Sequence, residues 1–251
     1  MSIDIHVINL ASATDRRLSC VAQLEGLGLT YKIFEAIDSS NPLDHFSGVD
    51  MRMFRLMTRR DKLNMNEVAC YASHKMLWRQ CVEKGEPIII LEDDFRLLDG
   101  FMDIYRSVCQ WIDKLDFIRM ESLDKTGSSL SISKKKSFIK KNSHGASFYH
   151  LKSVPLCMLA YAISPVAAKK LIGASEAYQM PSDKFLQQYQ IHKQPIYGIE
   201  PTRVVTSDEA EQSTIGDRKK KTWNIFLLLH RMFVKASMDI QKIIFNRKIK
   251  L

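Results

Sequence analysis

The stretch Ile88-Ile89-Ile90-Leu91-Glu92-Asp93-Asp94-Phe95 runs four bulky apolar residues straight into three adjacent carboxylates. A strand apolar enough to be buried draws those charges out of bulk water while they repel one another, which is costly unless a cation is near. A hard divalent ion bridged to phosphate oxygens would relieve the repulsion. On an extended chain Glu92 and Asp94 point to one side and Asp93 to the other, so one pair can hold a metal while the third carboxylate meets a ribose or a backbone amide. The same residues could instead form an acidic loop, or open a helix whose dipole Asp93 and Asp94 complement.

A second group is Glu67, Cys70, Ser73 and His74. On a helix, Glu67, Cys70 and His74 fall near one face, which raises the question of zinc. These types at these intervals match no established zinc spacing, so a hydrogen-bonded structural histidine is the preferred reading. Ser73 and His74 diverge on a helix and do not make a nucleophile–base pair. Near the start, Arg16 and Arg17 follow the first apolar run; either could clamp a phosphate bidentately or stand as a solvated cation on a helix face.

These residues need elements to hold them. Ile3 to Leu10 reads as a buried strand. Polar residues follow, with Ser12, Thr14 and Asp15 able to cap a helix whose apolar positions are Leu18, Val21, Ala22 and Leu24 and which stops at Gly26-Leu27-Gly28. Tyr31 to Ala36 is a second strand, and strand–helix–strand favours a parallel sheet covered by helices. Residues 39–64 read as an irregular, partly helical loop. Asn66 to Glu83 is a helix with a broad apolar face, stopped by Gly85. Ile88 to Leu91 is then a central parallel strand buried on both faces. Phe101 to Leu115 is a helix and Asp116 to Met120 a strand, and 122–147 is a solvated loop or hairpin. Tyr161 to Ser164 is a strand, Pro165 to Ile172 a helix opened by Ser164, Pro181 to Tyr189 a shorter helix, and Ile196 to Val205 an extended return. A sheet strand ending in carboxylates presents them where α/β folds place ligands.

With 251 residues, 45% hydrophobic and 26% charged, the chain has the balance of a globular domain. Its net charge of +9 is unevenly placed. Residues 218–251 hold ten Lys and Arg against Asp239 alone (10 − 1 = +9), and residues 1–217 balance (27 − 27 = 0). A neutral body argues against nucleic acid. Two domains are therefore expected, 1–217 and a basic tail, 218–251. In the tail Trp223, Phe226, Leu227, Phe233, Val234 and Ile244 share one stripe at 100° per residue, as in an interfacial helix on anionic lipid; a terminal helix laid on the body is the other reading. Five cysteines without a CxxC pair exclude a disulfide framework or a zinc ribbon. The opening lacks the features of a signal peptide and no run spans a membrane, so a cytoplasmic, peripheral location is expected.

As an ordered set the motifs resemble glycosyltransferase family 25, the bacterial lipooligosaccharide sugar transferases related to collagen galactosyltransferases. Asn9-Leu10 with Asp15-Arg16-Arg17 is similar to that family's NL…DRR, and Ala36-Ile37-Asp38 to its A-x-D, with Ser39 where glycine is usual. Glu67-Val68-Ala69-Cys70 with Ser73-His74 resembles GEIGC…SH, with Asn66 and Ala69 in place of two glycines. Ile90 to Asp94 resembles ILEDD, Tyr161 to Ser164 with Ala168 and Leu171 resembles Y-x-IS…A…L, Pro181-Ser182-Asp183 resembles P-x-D, and Ser213-Thr214-Ile215 with Arg218 resembles S-x-I…R.

The resemblance covers about 1–218. It implies a GT-A type, Rossmann-like, mostly parallel α/β sheet with flanking helices, followed by the amphipathic tail. It implies an inverting transfer of galactose or glucose from a UDP-sugar to a lipooligosaccharide or lipopolysaccharide acceptor at the inner membrane, with Mn²⁺ or Mg²⁺. The implied metal residues are Asp94, Glu92 and Asp93. The implied donor residues are Asn9, Leu10, Arg16, Arg17, Asp38, His74, Glu92 and Asp93. Asp183 is the first candidate for the base, though it could equally be a helix cap, and Glu209 and Glu211 are the alternatives. Two other classes stay open. A non-catalytic membrane- or RNA-binding module would show no UDP-sugar turnover, and a nucleotidyltransferase would release pyrophosphate rather than UDP.

Overall fold

The computed structural model describes residues 2–121, 136–142, 144–207 and 225–249. It opens with β1 (Asp4–Asn9), α1 (Thr14–Gly26) and β2 (Tyr31–Glu35), and β1 lies parallel to β2 and to β3 (Ile88–Glu92). Between them stand a short 3-10 helix (Pro42–His45), α2 (Met51–Thr58) and α3 (Met65–Lys84). After β3 come β4 (Phe95–Leu97), α4 (Phe101–Leu115) and β5 (Phe117–Arg119), then a hairpin of β6 (Lys136–Lys141) and β7 (Ser147–Leu151). The remaining elements are β8 (Ala160–Ile163), α5 (Pro165–Gly173), α6 (Ser182–Leu186), α7 (Tyr189–His192), β9 (Tyr197–Glu200), β10 (Val204–Thr206) and α8 (Ile225–Lys248).

Eight strands form one sheet in the order β2-β1-β3-β8-β5-β9-β7-β6. Six run one way and two, β8 and β7, run against them. The α/β architecture expected from the sequence is present, with one correction at its centre: β3 is parallel to β1 but antiparallel to β8. This reversal serves the site. The carboxyl ends of β3 and β5 meet the amino end of β8 at one edge, where Glu92 N donates to Leu159 O (2.8 Å) and Met120 N to Ala160 O (2.9 Å).

Residues 88–91 are at most 1% exposed. Ile88 and Ile90 enter the apolar layer formed with α3 and α5, whereas Ile89 and Leu91 enter the layer formed with α1 and α4. Each such side chain contributes about 1.5–3 kcal/mol by burial, which holds the acidic strand end in place. The α3 helix starts at Asn64, whose side chain accepts from Asn66 N and Glu67 N, and ends on left-handed Gly85 (φ 70°).

The partly helical reading of 39–64 holds at residues 51–58, a helix capped by Asp50 and anchored by buried Phe54 and Leu56. Several boundaries differ from the sequence reading. At α1 the cap position is Ala13, with no side-chain cap, and Leu18 is 67% exposed while Cys20 and Leu24 are buried. The helix expected over 181–189 is broken into α6 and α7.

The tail helix α8 lies against α2 and α7. Its inner face brings Phe245 to Tyr189 (ring centroids 5.7 Å), Asn246 Nδ2 to Tyr189 Oη (2.8 Å), and Met238 into burial. Leu229, Met232, Phe233, Ile240, Ile243 and Ile244 lie on the opposite side and are 49–75% exposed. The stripe expected from sequence is thereby split: Phe233 and Ile244 face outward and Val234 faces the body. Trp223 lies outside the described residues, as do the side chains of Phe226 and Leu227.

Candidate active site

The chain turns sharply after β3, so that Asp93 and Asp94 form a tight connection to β4. The small sheet of β4 and β10 closes over it, pairing Thr206 with Phe95, and Ser207 N donates to Asp94 O (2.7 Å). Glu92 and Asp93 diverge, as side-chain alternation predicts.

Asp93 turns toward α1, where Asn9 Nδ2 donates to Oδ2 (2.7 Å) and Arg16 Nη1 to Oδ1 (2.7 Å). Asn9 also donates to Ala13 O (3.1 Å), and this bond fastens the helix start to the end of β1. Both oxygens of Asp93 are thus engaged by residues read from sequence as donor-binding. Arg17 is exposed and bears electrostatically on Tyr31, and Leu10 supplies its carbonyl to Ala13 N (2.8 Å). Asp38 sits beyond the end of β2, exposed, and accepts from Ser40 N (2.8 Å) and the Ser40 hydroxyl, which hold its carboxyl below the ordinary range.

Glu92 turns toward α3. Its Oε1 meets His74 Nε2 (3.1 Å) and the Cys70 thiol (3.8 Å). His74 is fully buried, with Nδ1 2.9 Å from Tyr161 Oη, and Trp78 Nε1 donates to that same oxygen (2.9 Å). Trp78 and His74 Nδ1 thus converge on the Tyr161 hydroxyl, and His74 presents Nε2 to Glu92. Burial drives the Tyr161 phenol and Cys70 thiol well above their ordinary values, so both keep their protons. The hydrogen-bonded structural histidine preferred from sequence is present: Cys70 and His74 meet Glu92, and Glu67 pairs with Arg60.

Asp94 is the unsatisfied member. Its Oδ1 is buried without a hydrogen-bond partner among the described residues, and burial, followed by the charges of Glu92 and Asp93, raises its carboxyl to about 6. An orphaned carboxylate oxygen beside a second carboxylate that is 28% exposed is a hard-oxygen donor pair of the kind Mn²⁺ or Mg²⁺ takes. Among the described residues, the side chains whose ligand-capable atoms all lie within 4.8 Å of one another are Cys70, His74 and Glu92, not the three carboxylates.

Asp183 stands in the first turn of α6, accepting from Lys184 N (2.6 Å). The α6 helix packs against α3, and the Asp183 charge bears on Cys70 there. Glu209 and Glu211 lie outside the described residues.

Sequence reasoning missed a buried pair at the end of β5. Arg119 is bound to Glu121 and to the carbonyls of Pro155 and Cys157 (2.6 Å to the latter), while Glu121 Oε2 has no partner among the described residues. Burial raises the Glu121 carboxyl, and the Glu92 charge adds to the rise, so this carboxylate shares the edge. The signal was present as a carboxylate close behind a short strand with apolar residues, as at Glu92.

Carboxylates gathered at the strand ends of an α/β sheet define an enzyme-like ligand site. The profile of glycosyltransferase family 25 (LPS biosynthesis protein) matches residues 2–186, and the chain belongs to that family. It is 30% identical over 215 residues to the procollagen lysyl hydroxylase and glycosyltransferase of Acanthamoeba polyphaga mimivirus, covering 78% of this chain and 22% of that protein. It is 28% identical over 109 residues to the lacto-N-neotetraose biosynthesis glycosyltransferase LgtE of Neisseria meningitidis serogroup B (43% of this chain, 38% of that protein). Against the lipooligosaccharide biosynthesis protein lic2B of Haemophilus influenzae it is 26% identical over 166 residues (66% and 61%). The chain thus spans about a fifth and two fifths of the length of the first two relatives.

Proposed function

We propose that this glycosyltransferase transfers galactose or glucose from a UDP-sugar to a lipooligosaccharide or lipopolysaccharide acceptor, with inversion, while docked on an anionic membrane surface at the cytoplasmic face. The observation that carries the reading is the buried strand that delivers Glu92 and Asp94 to one edge, with Asp94 Oδ1 buried and without a partner among the described residues. Glu92 and Asp94 would hold Mn²⁺ or Mg²⁺, which supplies charge neutralisation for the departing diphosphate. Asn9 and Arg16 fix Asp93, and so the turn that presents Asp94. His74, set by Tyr161 and Trp78, orients Glu92. Asp183 takes the proton of the acceptor hydroxyl as its oxygen attacks the anomeric carbon from the face opposite the leaving UDP; the C–O bond to UDP breaks as the new one forms. Among the described residues no helix is long and apolar enough to cross a membrane, and the outward stripe of α8 beside its cations fits an interfacial role. Incubation with UDP-galactose and UDP-glucose, with and without Mn²⁺, should release UDP only with metal. Release of pyrophosphate, or equal turnover in chelator, overturns the reading.

A further inference from the structure

A cavity of about 200 Å³ opens between α2, α6 and the inner face of α8. It is smaller than the roughly 300–1,000 Å³ of pockets that enclose whole ligands, so it suits one group of a larger molecule. Its floor is apolar, from Leu56, Met57, Val234 and Met238. Lys184, Arg231, Lys235 and Lys242 line it with Asp239 as the one acid in the lining, a local excess of 4 − 1 = +3. These cations come from two separate parts of the chain, Lys184 from α6 and the other three from α8. Lys184 also donates to Met57 O (3.3 Å), which ties the wall to the end of α2. Burial lowers Lys184, Arg231 and Lys242, with Arg59 adding to the effect on Arg231; these are positive charges short of water. Lys184 directly follows Asp183 in α6, so one short helix carries both a cation of the lining and the proposed base.

We propose that this cavity is an acceptor subsite for an oxyanion, a phosphate or a carboxylate, carried on the saccharide that receives the sugar. The inference rests on the transferase reading and extends it: the acceptor is anionic, and α8 helps to bind it. A ligand held there by its charged group would keep its neutral ring on α6, the helix that also carries Asp183. The outward stripe of α8 faces away from the cavity and stays available for a membrane. The tail would then have a separate task on each face.

Titration calorimetry on the full chain tests this with glucose 6-phosphate, glucuronate, glucose and inorganic phosphate as probes. Glucose 6-phosphate or glucuronate should bind at least about tenfold more tightly than glucose and than inorganic phosphate, as expected when charge-assisted hydrogen bonds are added. Arg231→Gln combined with Lys242→Gln should remove that advantage, and Arg231→Lys with Lys242→Arg should keep most of it at a similar melting temperature. The removal should leave binding to phosphatidylglycerol vesicles largely in place. Equal affinity for glucose and glucose 6-phosphate overturns the proposal. Inorganic phosphate binding as tightly as the sugar phosphate does so too, since the site would then take a free anion. So does a double variant that loses the vesicles but keeps the sugar phosphate, which would assign the cations to lipid headgroups. UDP release from UDP-sugar is read separately: its failure removes the transferase reading and leaves the anion site standing.

Discussion

The two longest helices, α3 with 20 residues and α8 with 24, treat polarity in opposite ways. In α3, Ser73, His74 and Lys75 are nearly or fully buried, and each has a partner: Ile37 N donates to Ser73 Oγ (2.9 Å), His74 bridges Tyr161 and Glu92, and Lys75 Nζ donates to Ser175 O (2.5 Å) above the Phe46 ring. In α8 the anomaly is reversed, with six large apolar side chains turned outward beside lysines and arginines. A buried polar group is tolerated only when its partners are fixed, and fixed partners are what an acidic site needs to hold its geometry. An exposed apolar face is tolerated when something else covers it. The first helix therefore reads as preparation for chemistry and the second as preparation for association.

The sharpest way to break that contrast is at the orphaned carboxylate. Asp94→Asn should bring transfer to background, since the charge stabilisation that the proposed metal would supply, several kcal/mol, corresponds to about 10³-fold or more at 1.4 kcal/mol per tenfold. Its melting temperature should hold or rise, because a repelled and desolvated charge is removed. Full activity in this variant would leave the α3 edge without a chemical purpose. Asp183→Asn comes next, lowering turnover by about 10²–10⁴-fold with UDP-sugar affinity nearly constant. If the affinity fell and saturated turnover survived, Asp183 would belong to the donor site or the scaffold.

Two substitutions about one and a half turns apart on α8 sharpen the other half. Phe233→Ser, on the outward face, should weaken co-sedimentation with anionic vesicles by about tenfold, the effect of losing roughly 1.5 kcal/mol of apolar burial, and leave melting unchanged. Met238→Ala, on the inner face, should lower the melting temperature by several degrees and leave vesicle binding nearly intact. The charge-driven part of docking should fall as salt rises while an apolar remainder persists. Reversal of these two phenotypes would mean that α8 does not show its apolar stripe to a membrane.

The smallest expected effect lies beneath α8, at His192 in α7. It is 2% exposed, its Nε2 donates to Leu186 O (3.2 Å), and burial holds its ring at about 4 against an ordinary value of 6.5. The unfolded chain therefore binds more protons here than the folded one between those values. The stability held by neutral His192 is complete above pH 6.5 and is lost as pH falls toward 4. His192→Gln should lose fewer degrees of melting temperature than the parent between pH 7 and pH 5; an equal loss assigns the acid sensitivity elsewhere, His6 and His150 being depressed similarly.

Much of this was legible in the chain itself. Four branched or apolar residues before Glu92 can hardly be anything but a covered strand, and Gly85 and Ser164 mark helix ends because their backbone and side-chain chemistry acts within a few residues. The concentration of +9 in residues 218–251 is arithmetic on the sequence, and the ordered motifs were enough to point to the family. Tertiary structure decided what depends on distant partners. Asp93 reads like its neighbours until Asn9 and Arg16, 84 and 77 residues away, occupy both its oxygens. Cys70 and His74 separate from Glu67 because Glu92 and Arg60 attract them differently. Arg119 and Glu121 look like surface charges until Pro155 and Cys157 enclose them. Helical periodicity alone placed Phe233 and Val234 on one stripe; only the position of α2, α6 and α7 determined which face of α8 is covered, because that choice is made by packing against chain remote in sequence.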